Sequence, residues 1–129
     1  LSGYGEVLVR IGKVEKGLEL LNKAFELDPI PQGQSTSDNR IKDLILGYFF
    51  AEDFNKVVEL SFDIRVMDTR SLALILYSRS KLKQDIKVSS EYQSLKGEFK
   101  DTDWEQTIDR FHIQDEEIIK NLVVFMNTI

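Results

Sequence analysis

The sequence predicts an all-α protein made of about four helical hairpins. Apolar residues recur at spacings of three and four along most of the 129 residues, whereas the strict alternation of a half-buried β-strand is almost absent. The hydrophobic content of 42% and the charged content of 30% are typical of one globular domain. Only two prolines and seven glycines occur, which disfavours a loop-rich or disordered chain.

The first hairpin is predicted over residues 1–29. Leu1, Tyr4 and Leu8 share one face of the first helix, and Gly12 breaks the pattern. We expect Asp28-Pro29 to end the second helix, because the residue before a proline is disfavoured in the helical region. The second helix carries the apolar stripe Val14, Leu18, Leu21 and Phe25.

The second hairpin is predicted over residues 38–68. A polar segment at 30–40 reads as a loop, and its Ser37 or Asp38 is suited to cap the next helix. Glu52-Asp53 marks the turn between the two helices. The two apolar stripes are Ile41, Leu44 and Tyr48, and then Phe54, Val57 and Ile64.

Two further hairpins are predicted over residues 70–99 and 102–129. Asp68 can cap the third, and Thr102 with Glu105 reads as a capping box at the start of the fourth. Acidic residues from Asp115 onward suit the positive end of the last helix. The stripes are Leu72, Ile75 or Leu76, and Leu82; then Val88, Tyr92, Leu95 and Phe99; then Trp104, Ile108 and Phe111; and finally Ile118, Leu122, Phe125 and Ile129.

Residues 1–29 resemble one tetratricopeptide repeat (TPR) along their whole length. Small residues at Gly5, Gly17 and Ala24 stand where this family brings its helices close together, and Gly12 stands at the turn. The other matching positions are Leu1, Tyr4, Leu8, Leu21 and Pro29. A weaker second copy at about 38–69 follows at a spacing of about 40 residues instead of the family's 34, with Ile45 and Glu52 at two glycine positions.

The resemblance implies a right-handed α-α superhelix whose concave face binds a protein or peptide segment. On the family's geometry, we expect a groove-facing set of Glu6, Val9, Arg10, Lys42, Leu46, Phe49 and Phe50. Some family members hold a partner's C-terminal carboxylate with a Lys/Asn/Arg clamp. Glu6 stands where that clamp needs asparagine, so no such clamp is expected here.

The last helix is apolar over a wide arc, which suggests a second kind of contact. Its apolar side chains either belong to the core or also support a homodimer. The residues predicted for self-association are Ile118, Leu122, Phe125 and Met126.

The composition disfavours several classes of function. The chain has no cysteine, so disulfides, thiolate metal sites and cysteine nucleophiles are excluded, and we expect no metal and no cofactor. A net charge of −5 disfavours nucleic-acid binding, because that affinity comes largely from lysine and arginine. No apolar run approaches the roughly 20 residues that cross a bilayer. We expect a cytoplasmic protein without membrane insertion.

We therefore predict a non-catalytic protein-binding scaffold. Because the first residue is Leu1 and not methionine, and lies inside a predicted helix, we expect the chain to be a fragment of a longer protein. One alternative is an accessory repeat segment of a larger enzyme, such as a bacterial glycosyltransferase. The other alternative is a self-association module that acts through its last helix.

Overall fold

The computed structural model describes residues 2–27 and 34–129, and within these ranges the chain is all-α, as predicted. Leu1 and the predicted helix end at Asp28-Pro29 lie outside them. No β-strand occurs in the described ranges, and a short 3₁₀ helix, Ile86–Val88, precedes the sixth α-helix. The α-helices of these ranges are α1 Ser2–Arg10, α2 Val14–Leu27, α3 Gln34–Phe50, α4 Phe54–Ser61, α5 Thr69–Lys81, α6 Ser90–Lys96, α7 Trp104–Asp109 and α8 Glu116–Thr128.

The turns that follow α1, α3 and α5 share one conformation. Each places a single residue in the left-handed region, namely Gly12 at φ 96°, Glu52 at 58° and Lys83 at 60°. The backbone N–H of the next residue then donates to a carbonyl five positions earlier, which is the Schellman pattern of a helix end. These bonds run from Lys13 to Leu8, from Asp53 to Tyr48 and from Gln84 to Arg79. The shared turn therefore gives a residue-by-residue correspondence between the sequences of α1, α3 and α5.

Glycines bring the first helices into close contact. A Cβ atom on Gly17 would lie 2.5 Å from Val9 Cγ2 and 2.7 Å from the Gly5 carbonyl oxygen. A Cβ atom on Gly47 of α3 would lie 2.5 Å from Leu18 Cδ2 of α2. Only glycine leaves room at these crossings, because real Cβ atoms do not approach so closely. The packing role predicted for Gly5 and Gly17 is confirmed.

Aspartate and serine caps begin most of the later helices. Asp68 accepts a hydrogen bond from the backbone N–H of Ser71 at 2.8 Å, which confirms it as the cap of α5. Asp115 likewise caps α8. The capping box predicted at Thr102 is wrong by one position, since Asp103 accepts from the backbone of Gln106 and begins α7.

The predicted loop at 30–40 is shorter than expected, because α3 already begins at Gln34. Asp38 is therefore not a helix cap. It lies inside α3, is 4% exposed, and accepts hydrogen bonds from the backbone N–H groups of Arg65 and Val66, the latter at 2.8 Å. This carboxylate fixes the connection between α4 and α5 against α3.

Two residues predicted to belong to apolar core stripes are exposed. Tyr4 is 63% exposed, because its neighbour Gly5 is the α1 residue that faces Gly17 of α2. Val88 is 77% exposed, because Ser89 caps α6 and separates Val88 from the helix that it was predicted to join. The main core cluster is formed by Leu21, Ile45, Leu46, Val57, Leu72, Ile75, Leu76, Trp104, Ile108 and Leu122, among others.

The fourth hairpin returns to the first. The backbone N–H of Gln114, between α7 and α8, donates to the carbonyl of Arg10 at the end of α1, at 3.1 Å. On α8, the ring of Phe125 packs edge-on against Tyr77 of α5, with 5.3 Å between ring centroids. In an open solenoid each repeat contacts only its neighbours. The hydrogen bond from Gln114 to Arg10 departs from that arrangement, and the predicted superhelix stays a prediction.

Candidate partner-binding cleft

A concave cleft of about 680 Å³ lies between the first helices of the hairpins. Residues of α1, α3, the start of α5, the end of α7 and the α7–α8 connection line it. Polar residues of each of these helices contribute to this one surface. The residues that carry its chemistry are Glu6, Arg10, Asn39, Lys42, Asp43, Asp68, Arg70, Thr107, Arg110 and His112.

Arg70 joins three helices at the base of this cleft. Its Nη1 donates to Glu6 Oε1 of α1 at 3.1 Å, and its Nη2 donates to Asp43 Oδ1 of α3 at 3.2 Å. Arg10 Nε donates to the same Glu6 oxygen at 2.6 Å. The four side chains are between 16% and 21% exposed, so solvent screens these pairs less than it screens a surface ion pair.

A second ion pair joins Lys42 of α3 to Asp68, the cap of α5, with 3.3 Å between Nζ and Oδ2. Lys42 is only 10% exposed at its side chain. Burial acts to raise the pKa of Asp68, but the hydrogen bond from the Ser71 backbone N–H and the Lys42 ammonium outweigh it and hold that pKa below its ordinary value. Asp68 is therefore a stable anion at neutral pH.

The α7–α8 connection adds two nitrogen-bearing side chains, Arg110 and His112, to the cleft. Arg110 and His112 are exposed, and neither side chain forms a hydrogen bond or ion pair with any residue in the described ranges. His112 has a positive φ of 57°, which a non-glycine residue rarely adopts. Its backbone conformation turns the chain from α7 toward α8 beside the cleft.

The structure places the seven predicted groove residues in three different environments. Glu6, Arg10 and Lys42 line the cleft. The expected placement of Val9, Leu46 and Phe49 on an open groove is wrong, because these side chains are 0%, 0% and 5% exposed. Val9 faces Gly17 of α2, and the Phe49 ring packs against Phe54 and Tyr77, with centroids 6.0 Å and 5.5 Å apart.

The seventh residue, Phe50, is half-buried near α8. It shares the wall of a cavity of about 240 Å³ with Tyr77 and with Ile118 and Leu122 of α8. In the alignment of the turns, Phe50 corresponds to Arg10 and Tyr77 corresponds to Glu6. These two positions are thus charged and line the cleft on α1, whereas α3 and α5 each carry an aromatic ring next to α8 at one of them.

The four residues predicted for self-association all lie on α8. Leu122 and Met126 are 0% and 3% exposed, so they belong to the core and offer no surface to a second copy. Ile118 and Phe125 are half-buried against the same cluster. The apolar arc of α8 is accounted for largely by packing within the chain.

Sequence reasoning missed Asp43, Asp68, Arg70 and the α7–α8 connection as parts of one site. Arg70 lies 13 positions before Lys83, and Asn39 lies 13 positions before Glu52, so Arg70 and Asn39 correspond in the alignment of the turns. That correspondence could have placed Arg70 beside the cleft, had Lys83 been aligned with the turn residues Gly12 and Glu52. Nothing in the sequence links Arg110 or His112 to α1.

Comparisons with known proteins identify no relative. No family model, curated protein or solved structure matches this chain. The TPR resemblance therefore remains a prediction that rests on residues 1–29 and on the repeated turn.

Two further observations concern residues 2–27 and 34–129. Across them, no helix combines the length and apolar character needed to cross a membrane. The same residues contain no group of three or more histidine, aspartate or glutamate side chains arranged to hold a metal ion.

Proposed function

We propose that this chain binds a segment of a protein partner in the charged cleft and catalyses no reaction of its own. The observation that carries the proposal is an open cleft whose polar side chains are already held in place by ion pairs. Arg70, Glu6 and Lys42 are fixed before any partner arrives. A preorganised site loses less conformational entropy on binding than a flexible one.

The chemistry of the lining suits a polypeptide. Asn39 is exposed and Thr107 half-exposed in the cleft, and each side chain can both donate and accept a hydrogen bond. Such groups match the alternating N–H and C=O groups of an extended chain. The ionic groups around them would select among side chains of the bound segment.

The paired state of the carboxylates favours binding over catalysis. Glu6 Oε1 already accepts hydrogen bonds from Arg10 and Arg70, and the lowered pKa of Asp68 beside Lys42 weakens that carboxylate as a proton acceptor. His112, the single histidine of the sequence, has no orienting partner among the described residues. A nucleophile–base–orienter set needs such a partner.

Site-specific photo-cross-linking tests this proposal. A photoreactive amino acid replaces Asn39 in the cleft, and a matched variant carries it at Asn55, an exposed residue of α4 outside the cleft. We expect one defined polypeptide adduct from the Asn39 variant in the source cell's extract, which the Asn55 variant does not form. Equal adducts from both variants, or none from either, would refute the proposal.

A further inference from the structure

Cationic side chains outnumber carboxylates in the cleft. Glu6 is bonded to both Arg10 and Arg70, and Asp68 is paired with Lys42. Asp43 accepts from Arg70 as well. Each of the three carboxylates that line the cleft therefore already has a cationic partner.

The cationic side chains of the cleft are not all paired. Four cationic side chains line the cleft against those three carboxylates, and Arg110 is the one without an ion-pair partner in the described part of the chain. His112 beside it supplies a further donor with no partner there. This local excess of positive charge contrasts with a net charge of −5 for the chain.

We infer that the segment bound in this cleft is acidic, with glutamate, aspartate or phosphorylated side chains directed at Arg110 and His112. The inference rests on the proposed function. An incoming carboxylate or phosphate finds an unpaired guanidinium, and such charge-assisted hydrogen bonds are the strong ones. An incoming lysine or arginine meets only carboxylates that are already neutralised, and it is repelled by the cationic excess.

Arg110 and His112 reach the cleft only because the fourth hairpin returns to α1. The hydrogen bond from Gln114 to Arg10 holds the α7–α8 connection beside the end of α1. The proposed acid-binding part of the site therefore comes from the segment of the chain least similar to a repeat.

Fluorescence anisotropy with labelled peptides of equal length tests the inference on the whole 129-residue chain. One peptide is rich in glutamate, one replaces each glutamate with glutamine, one replaces it with lysine, and one replaces it with phosphoserine. All four are amidated at the C-terminus, so only side-chain charge is compared. We expect the glutamate peptide to bind at least about tenfold more tightly than the glutamine and lysine peptides, and to weaken as salt is raised.

The phosphoserine peptide identifies the source of the negative charge. Tighter binding of phosphoserine than of glutamate supports a phosphorylated segment, whereas equal or weaker binding supports a carboxylate-rich one. Arg110→Gln should remove most of the glutamate preference. Arg65→Gln, which also removes one exposed arginine but lies outside the cleft, should leave it unchanged.

The results separate this inference from the proposed function. Equal binding of the glutamate and glutamine peptides, or equal loss in Arg110→Gln and Arg65→Gln, overturns the acidic segment. A cross-link specific to Asn39 would still support a protein-binding cleft in that case. Absence of that cross-link together with a strong glutamate preference would leave an acid-binding site and refute the cellular protein partner.

Discussion

The link between Glu6 and Arg70 joins residues 64 positions apart in sequence, and we expect its loss to weaken the whole assembly of α1, α3 and α5. Arg70→Met keeps a long apolar stem but removes two charge-assisted hydrogen bonds, one to Glu6 and one to Asp43. Bonds of this kind contribute about 1.5–3 kcal/mol each when buried. The side chains here are about one-fifth exposed, so we reduce the sum to about 2 kcal/mol.

A double-mutant cycle isolates the contact between the two residues. Glu6→Gln leaves a neutral acceptor at the same place, and the double variant lacks both charges. We expect a coupling free energy of about 1 kcal/mol between the two changes, because both residues also bond to other partners. Glu6 keeps Arg10, and Arg70 keeps Asp43.

Urea denaturation followed by tryptophan fluorescence measures these quantities. Trp104 is the single tryptophan and is 5% exposed, so its emission should shift when α7 separates from the core. Arg65→Met is the matched control, since that exposed arginine's side chain forms no described bond, and it should change stability by less than about 0.5 kcal/mol. Equal destabilisation by Arg70→Met and Arg65→Met, or a coupling below about 0.3 kcal/mol, would refute the reasoning.

Three further perturbations test the packing, the turns and the ion pairs by the same measurement. Gly17→Ala should destabilise the fold by about 2–3 kcal/mol, because two of the atoms that its Cβ would meet belong to the backbone. The control Gly97→Ala should cost far less, since Gly97 is exposed and its Cβ would meet only the Gln93 carbonyl at 3.1 Å. Similar losses in the two variants would contradict the close helix crossing. Glu52→Gly should stabilise by up to about 1 kcal/mol by relieving its left-handed conformation, and Gly12→Ala should destabilise by about 1–2 kcal/mol for the converse reason. Because folding lowers the pKa of Asp68 from 3.8, its contribution to stability is complete above that pH and is lost as the pH falls through the folded-state pKa. The Asp68→Asn variant should therefore be less stable than the unaltered chain at neutral pH, and its free energy of unfolding should fall less as the pH is lowered. The same fall in the free energy of unfolding at acid pH in both proteins would exclude this role.

The sequence predicts the first hairpin well because its physical requirements fall on residues with few alternatives. Gly5 and Gly17 stand where two backbones nearly touch, and Gly12 stands in a left-handed turn. Any larger side chain at these positions carries a steric cost. The pattern of small residues in the sequence therefore predicts where these helices pack and turn.

The second and third turns break that rule, so no glycine shows which of their residues correspond to Gly12. Glu52 and Lys83 adopt the same left-handed conformation as Gly12, at a cost that surrounding packing tolerates. A search for turn glycines fails at both positions. For this reason the periodicity revealed the helices of the third hairpin but not their register, and the position of Arg70 beside Glu6 could not be predicted.

Polar residues were harder to place than apolar ones because one chemistry serves several local roles. Asp38 looks like a helix cap, yet its carboxylate is buried and binds backbone N–H groups 27 and 28 residues away. Thr102 and Asp103 are both good caps; the capping-box pattern with Glu105 favours Thr102, yet Asp103 is the cap of α7. Side-chain hydrogen bonds of this kind are decided by tertiary contacts, which a local pattern does not contain.

The position of α8 explains why only part of the predicted groove remains available for binding. Its apolar arc predicts that it must be covered, but an arc of isoleucine, leucine and phenylalanine does not specify the surface that covers it. In the structure, that surface includes the aromatic half of the inner helix face, around Tyr77 and Phe50. The proposed binding is consequently restricted to the half where Arg10 replaces the aromatic ring, and there the α7–α8 connection contributes Arg110. The same return of the chain that closes the apolar half of the groove therefore completes the charged half.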